Sequence, residues 1–119
     1  MAVRRLQYNW NTTLDGSGNG SVRILPSVND WKIETLSVKT STRTLEPTAS
    51  IYLNVINDGN FIEASASGGG DTSDTVHMLS RGESLYVVWA GGDPGATATV
   101  SVMGWETTFD DTRGINALR

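Results

Sequence analysis

The side chains that could carry out chemistry in this chain are few, and its histidine is the first to consider. His77 is the single histidine of the 119 residues, and the chain contains no cysteine. A histidine base needs a nucleophile beside it, and the sequence alone does not place one next to His77. One histidine without cysteine also falls short of the ligands of an ordinary transition-metal site. We therefore expect His77 to be structural, and we expect no catalytic residue, metal site or cofactor.

Aspartates in glycine-rich stretches are the second group with possible chemistry. Asp71 and Asp74 lie in "GGGDTSDT", and Asp93 lies in "GGDPG". Oxygen-rich loops of this kind can bind calcium, but these lack the acidic density and the downstream glutamate of an EF-hand loop. Capping of turns by the side chains of Asp71 and Asp74 is therefore the favoured interpretation. The stretch "GSGNGS" lacks the Lys-Ser/Thr pair of a phosphate-binding loop and is predicted to be a flexible hairpin tip.

The composition argues against several classes of function. Charged residues make up 18% of the chain, and the net charge is −4. An acidic chain lacks the basic surface that nucleic acid requires, so we expect no direct DNA or RNA binding. Without cysteine there is no disulfide, thiolate catalysis or iron–sulfur cluster. No apolar window approaches the ~20 residues of a membrane span, and "MAVRRLQYNWNTT" lacks the apolar core of a signal peptide. We expect synthesis in a cytoplasm and no membrane partner.

Alternation of apolar and polar residues runs through the chain and predicts the elements that hold these side chains. No apolar stripe of helical spacing occurs before residue 105. The eight predicted strands are Arg5–Trp10, Val22–Leu25, Trp31–Thr40, Ala49–Ile56, Phe61–Ala66, Thr75–Leu79, Ser84–Ala90 and Ala96–Trp105. Turn signals separate them roughly every 8 to 12 residues, which indicates a two-sheet sandwich or small barrel. The prediction is an all-β, antiparallel β-sandwich of the jelly-roll type over residues 1–107, followed by an extended C-terminal arm over residues 108–119.

The third predicted strand is irregular. Trp31 and Ile33 share one parity of the strand. Leu36 and Val38 share the other parity. A β-bulge near Thr35 would bring all four side chains to one face, and a strand buried partly on both faces is the alternative.

Four tryptophans are many for a chain of this size. Trp89 alternates with other apolar residues and is predicted to lie in the core, and Trp31 is predicted to lie there as well. Trp10 and Trp105 lie near the two ends of the domain. For Trp10, core packing, an interface contact and ligand binding all stay open, because tryptophan is enriched in interfaces as well as in cores.

The segment "SDTVHMLSRGESLYVVWAGGDPGATATVSVMGWE", residues Ser73–Glu106, carries a resemblance. Together with Ser21–Asn54, it resembles small β-sandwich virion proteins of tailed bacteriophages, particularly those of actinobacterial hosts. The motif positions are Asp74, Leu79 or Ser80, Gly82, Glu83, Leu85, Val87, Trp89, Gly91, Gly95, Ala98, Val100, Val102 and Gly104. The resemblance implies a capsid decoration (minor capsid) or tail-tip role in the virion, and it carries over no catalytic residue.

The function expected from these observations is a non-enzymatic virion protein on the outer capsid surface that reinforces the major capsid protein lattice. A receptor- or carbohydrate-binding domain of the tail tip is the alternative, and a small glycan-active enzyme is a third hypothesis, although no pair of carboxylates stands out for it. We expect a homo-oligomer, with a trimer favoured. Contacts by the chain termini are expected to supply much of the binding. The predicted interface residues are Arg4, Arg5, Trp10, Phe109, Arg113, Ile115 and Leu118.

Overall fold

The computed structural model describes residues 2–26 and 28–108, and strands dominate that part of the chain. The strands are β1 (Ala2–Thr13), β2 (Gly20–Ile24), β3 (Asp30–Thr40), β4 (Thr48–Leu53), β5 (Phe61–Ser65), β6 (Gly70–Ser73), β7 (His77–Leu79), β8 (Leu85–Ala90) and β9 (Thr97–Thr108). The described residues form no α-helix, and one 3-10 turn, Asp58–Asn60, lies between β4 and β5.

The strands pack as two antiparallel sheets. The five-stranded sheet has the order β1-β9-β3-β6, with β7 also paired to β3, and the four-stranded sheet has the order β2-β8-β4-β5. Because β6 and β7 pair with successive parts of β3, they occupy one strand position. The eight positions then run 1-8-3-6 in one sheet and 2-7-4-5 in the other, which is the connectivity of a jelly roll. The predicted all-β sandwich is confirmed.

The core lies between the central strands of the two sheets. The inward residues of β8 and β9 that are fully buried are Leu85, Val87, Trp89, Ala98, Val100 and Val102. Each such side chain contributes roughly 1.5 to 3 kcal/mol by leaving water, less for alanine. Trp89 also donates its indole N–H to the carbonyl oxygen of Gly68 at 3.0 Å, so its one polar atom is satisfied. Core positions predicted for Trp31 and Trp89 are confirmed.

The irregularity in β3 is a β-bulge. Ile33 pairs with Gly104 of β9 and Thr35 pairs with the preceding residue, Met103, so that Glu34 is the extra residue. The two apolar residues before the bulge and the two after it are all buried on the same face. A Cβ atom at Gly104 would lie 1.9 Å from the carbonyl oxygen of Lys32. Glycine is therefore required where β9 passes the bulge.

In β1 and β6, pairing with a neighbouring strand produces strand structure that the local pattern did not predict. β1 extends to Ala2 and Thr13, since each of its twelve residues pairs with β9. β6 lies inside the predicted loop "SGGGDTSD". Its inward residues, Asp71 and Ser73, are polar, so the alternation that marks a strand in the sequence is missing there.

The end of β4 is a correction to the predicted strand Ala49–Ile56. Asn54 adopts a φ of 66°, in the left-handed region that ends a strand. Val55, which lies inside the predicted strand, follows this residue and is 50% exposed. The residues that follow form the connection to β5, which pairs antiparallel with β4.

Candidate interaction site

Arg4 and Arg5 are consecutive residues of β1, so their side chains project to opposite faces of the five-stranded sheet. The guanidinium of Arg5 lies 5.9 Å from the ring centroid of Trp105 on the outer face, within the range of a cation–π contact. The Nε atom of Arg4 donates to the Glu106 carboxylate on the inner face at 3.0 Å. The two arginines predicted as interface residues are thus divided between an outer surface and an ion pair.

Glu106 is a buried carboxylate at the end of the sandwich where β1 begins. Its side chain is 2% exposed, and it accepts hydrogen bonds from Arg4 at 3.0 Å and from Nδ2 of Asn29 at 2.6 Å. Burial by itself raises the pKa of Glu106, but the hydrogen bonds from Arg4 and Asn29 outweigh it, so the pKa lies below its usual value. The cluster is therefore an occupied structural ion pair.

Trp10 belongs to an aromatic cluster on the inner side of β1. Tyr8 stacks on Trp31 with ring centroids 5.4 Å apart, and the centroid of Trp10 lies 6.1 Å from that of Trp31. Trp31 is buried, Trp10 is partly buried against the core, and Tyr8 is 44% exposed. Core packing of Trp10 is thus observed, and a partner contact at its exposed part stays a prediction.

The remaining predicted interface residues lie beyond the described part of the chain. They are Phe109, Arg113, Ile115 and Leu118. β9 ends at Thr108, which pairs with Ala2 at the start of β1. The predicted arm therefore follows directly from the end of the sandwich that contains Glu106.

A row of aromatic side chains crosses the outer face of the four-stranded sheet. In the register of β2, β8, β4 and β5, the successive neighbours are Arg23, Tyr86, Tyr52 and Phe61. We call these four residues the aromatic row. The guanidinium of Arg23 lies 5.8 Å from the Tyr86 ring centroid. Tyr52 and Phe61 meet edge to face with centroids 5.8 Å apart, and Phe61 is 49% exposed.

The outer face around the aromatic row is almost without charge. Its other outward residues in the strand pairings are Ser21, Thr48, Ser50, Ala64, Val88 and Ala90. Arg23 is thus the one charged residue among the described outward positions of this sheet. The outer face of the five-stranded sheet instead carries Arg5, Lys32, Glu34 and Lys39. Aromatic residues and arginine with few other charges are typical of the centre of protein interfaces.

A cleft of about 250 Å³ opens between β5 and β6, the neighbouring edges of the two sheets. Its apolar floor consists of Leu36, Val38, Ala49 and Ile51. Glu63 and Asp71 stand on opposite walls. Asp71 accepts hydrogen bonds from the Ser65 hydroxyl and from the Thr72 amide, which hold the pKa of Asp71 below its usual value. Charged groups here face inward at two sheet edges, an arrangement that prevents edge-to-edge pairing.

His77 lies buried beside this cleft. Its Nε2 has no hydrogen-bond partner and is 3.8 Å from Oε1 of Glu63. In residues 2–26 and 28–108, no group of three or more histidine, cysteine, aspartate or glutamate side chains is placed to hold a metal ion.

Asp93 holds the loop that follows β3. Its carboxylate accepts hydrogen bonds from the Thr42 hydroxyl at 2.7 Å and from the amides of Thr44 and Leu45 at 2.8 and 2.7 Å. The Thr42 hydrogen bond is the main reason that the pKa of Asp93 is lowered. The carboxylate of Asp93 therefore has a structural role in this loop.

The sequence analysis did not identify the aromatic row. Each member lies at an outward position of its own strand, and only the register of four strands brings the members together. No helix within the described ranges has the length and apolar character needed to cross a membrane. Comparisons with protein-family models, curated proteins and solved structures gave no significant match.

Proposed function

We propose that this chain is a non-enzymatic virion structural protein of a tailed bacteriophage. It binds the outer surface of the capsid as a homo-oligomer and reinforces the lattice of the major capsid protein. Two lines support the proposal. One is the resemblance carried by Ser73–Glu106, and the other is the outer face of the four-stranded sheet.

The observation that carries the proposal is the near absence of charge on that face. The paired outward positions of the four strands include one charged residue, Arg23, which is the first member of the aromatic row. Exposed charged residues cost free energy when a partner removes their water, whereas tyrosine and arginine are frequent hot-spot residues. A face of this composition suits lasting contact with another protein.

The buried polar residues support a structural role over a catalytic one. Glu106 is occupied by Arg4 and Asn29, so its carboxylate is not free to act on a substrate. His77 is buried and has Glu63 as its nearest acidic neighbour, at 3.8 Å. Neither group combines exposure with the partner that acid–base or nucleophilic chemistry requires.

The second candidate function is glycan or receptor binding at the tail tip. The aromatic row favours it, because exposed aromatic rings can stack on the apolar faces of sugar rings. The two functions differ in copy number, since a decoration protein is present in hundreds of copies per particle and a tail-tip protein in a handful.

The test of the proposal is quantitative mass spectrometry of purified virions, followed by binding of the recombinant full chain to virions that lack it. A copy number in the hundreds supports the decoration role. A handful of copies, or absence from the particle, overturns it, and binding to a glycan array then favours the second candidate.

Two variants test whether the aromatic row lies in the face that binds the capsid. Tyr86→Ser is expected to weaken capsid binding by at least about tenfold, as for a hot-spot residue. The matched control is Thr99→Ala on the outer face of the five-stranded sheet, which is expected to bind at wild-type occupancy. Equal binding by both variants would remove the aromatic row from the proposal.

A further inference from the structure

Three of the four lateral edges of the sandwich carry features that prevent pairing with another strand. β2 has five residues, and Pro26 follows two residues after its end. β5 also has five residues, contains a register irregularity and turns Glu63 inward. β6 and β7 have four and three residues and divide their edge into two short pieces, with Asp71 turned inward.

From Leu6 to Thr13, the free edge of β1 carries none of these features. The strand has twelve residues and pairs with β9 at every position without a register shift. Within the described ranges, no strand pairs with its other side. From Leu6 to Thr13 it contains no charged residue, proline or glycine. A long, regular and uncharged edge is the type that accepts another strand.

Exposed aromatic surface accompanies this edge. Tyr8 is 44% exposed and Trp10 is partly exposed, although both side chains are on the inward parity of β1. They are exposed because β1 is the last strand of its sheet. A further strand beside β1 would cover them.

We infer that the free edge of β1 pairs with β1 of a second copy of this chain, antiparallel about a two-fold axis near Asn9. The two five-stranded sheets then form one continuous sheet. Pairing from Arg5 to Thr13 adds about nine main-chain hydrogen bonds, close to the number in a typical protein interface.

The sequence of β1 is complementary to itself in this register. Centring on Asn9 puts Tyr8 beside Trp10 of the second copy, and aromatic cross-strand pairs stabilise a sheet. Arg5 faces Thr13 of the second copy, so no like charges are opposed. Parallel pairing would instead align Arg5 with Arg5 and create a repulsive contact. Self-complementarity of the strand identifies a second copy as the occupant.

The inference does not depend on the proposed function, since it concerns only self-association through an edge. A two-fold pairing closes with two subunits. It therefore favours a dimer over the trimer predicted from the sequence.

The test uses charge at Asn9, which projects from the outer face at the centre of the pairing. Sedimentation equilibrium of the wild-type full chain is expected to approach twice the chain mass of 12.8 kDa. Asn9→Lys and Asn9→Asp each oppose like charges across the axis, and each is expected to raise the dimer dissociation constant at least about tenfold. An equimolar mixture of the two variants is expected to restore the dimer, because opposite charges then face each other.

The matched control is Ser101→Lys. Ser101 is the register partner of Asn9 on β9 and shares its outer face, one strand away from the edge. This control is expected to dimerise like the wild type, and thermal unfolding confirms that each variant is folded. A wild-type monomer overturns the inference. So does a dimer that Asn9→Lys leaves intact, a mixture that stays dissociated, or equal dissociation by Ser101→Lys.

Discussion

The two lateral sides of the sandwich are built on different principles. On one side, β1 forms a continuous edge of twelve residues. Glu106 of β9, which lies beside the start of β1, is fully buried and bound by Arg4 and Asn29. On the other side, β5, β6 and β7 are short, and Glu63 and Asp71 face each other across an open cleft.

The difference shows that an inward-facing carboxylate has two distinct uses in one fold. At Glu106 the buried charge is satisfied by Arg4 and Asn29, and the pairing of β1 with β9 stays regular at that position. At Glu63 and Asp71 the charge stays near water and makes the edge unsuitable for another strand. The four predictions below test this contrast, from the largest expected effect to the smallest.

Removing the buried carboxylate is expected to have the largest effect. Glu106→Ala should lower the free energy of unfolding by about 2 to 3 kcal/mol, because Asn29 loses its acceptor and a cavity replaces the side chain. Urea denaturation at neutral pH measures the loss. The control Glu34→Ala removes an exposed partner of Lys32 and should change stability by less than about 0.5 kcal/mol. Equal losses in the two variants would contradict the assigned role of Glu106.

Acid is expected to remove the stabilisation that the same carboxylate contributes. Because the pKa of Glu106 is lowered on folding, its stabilisation is complete above the usual glutamate pKa of about 4.3. It is then lost as the pH falls through the lowered pKa of the folded state. The stability difference between the wild type and Glu106→Gln should therefore be constant above about pH 5 and shrink below about pH 4. A difference that does not change with pH in denaturation titrations would contradict this linkage.

His77 should be replaceable by an apolar side chain. His77→Leu removes a buried nitrogen that has no hydrogen-bond partner, so stability should rise by about 1 kcal/mol or stay equal. Thermal and urea unfolding measure the change. Met78→Leu, next to it on the exposed face, should leave stability unchanged. A large loss in His77→Leu alone would reveal a partner of the imidazole and weaken the structural interpretation.

The smallest change in the free energy of unfolding is expected at the β5 edge. A change in aggregation should nevertheless be measurable there. Glu63→Leu should change the free energy of unfolding by no more than about 0.5 kcal/mol, yet it should aggregate sooner on warming because the β5 edge loses its inward charge. Light scattering during a temperature ramp follows the onset. The control Glu34→Leu makes the same change on the outer face of a central strand, and the interpretation fails if both variants aggregate together.

Much of the sandwich could be predicted from local pattern. Strict alternation in β8 and β9 identified both strands and their buried faces, since the inward residues of β8, and those of β9 up to Val102, are all apolar. The prediction was incomplete at the edges. β6 was taken for loop because Asp71 and Ser73 point inward, and Val55 was assigned to a strand that Asn54 had already ended.

The candidate site was less accessible to this reasoning. Arg4, Arg5 and Trp10 were selected for their charge and size, and pairing with β9 then sent the two arginines to opposite faces. The aromatic row was not found at all, because its members are separated by up to 63 positions along the chain, from Arg23 to Tyr86.

The sequence by itself determined the class of fold and the parity of the central strands β8 and β9, because these follow from the two-residue period of a strand and from its buried face. Tertiary structure alone decided which residues became neighbours. Register between strands brings Arg23, Tyr86 and Phe61 into one row and Glu106 against Arg4. It also leaves one long edge of the sandwich open, because whether a strand lies at an edge depends on which other strands pair with it.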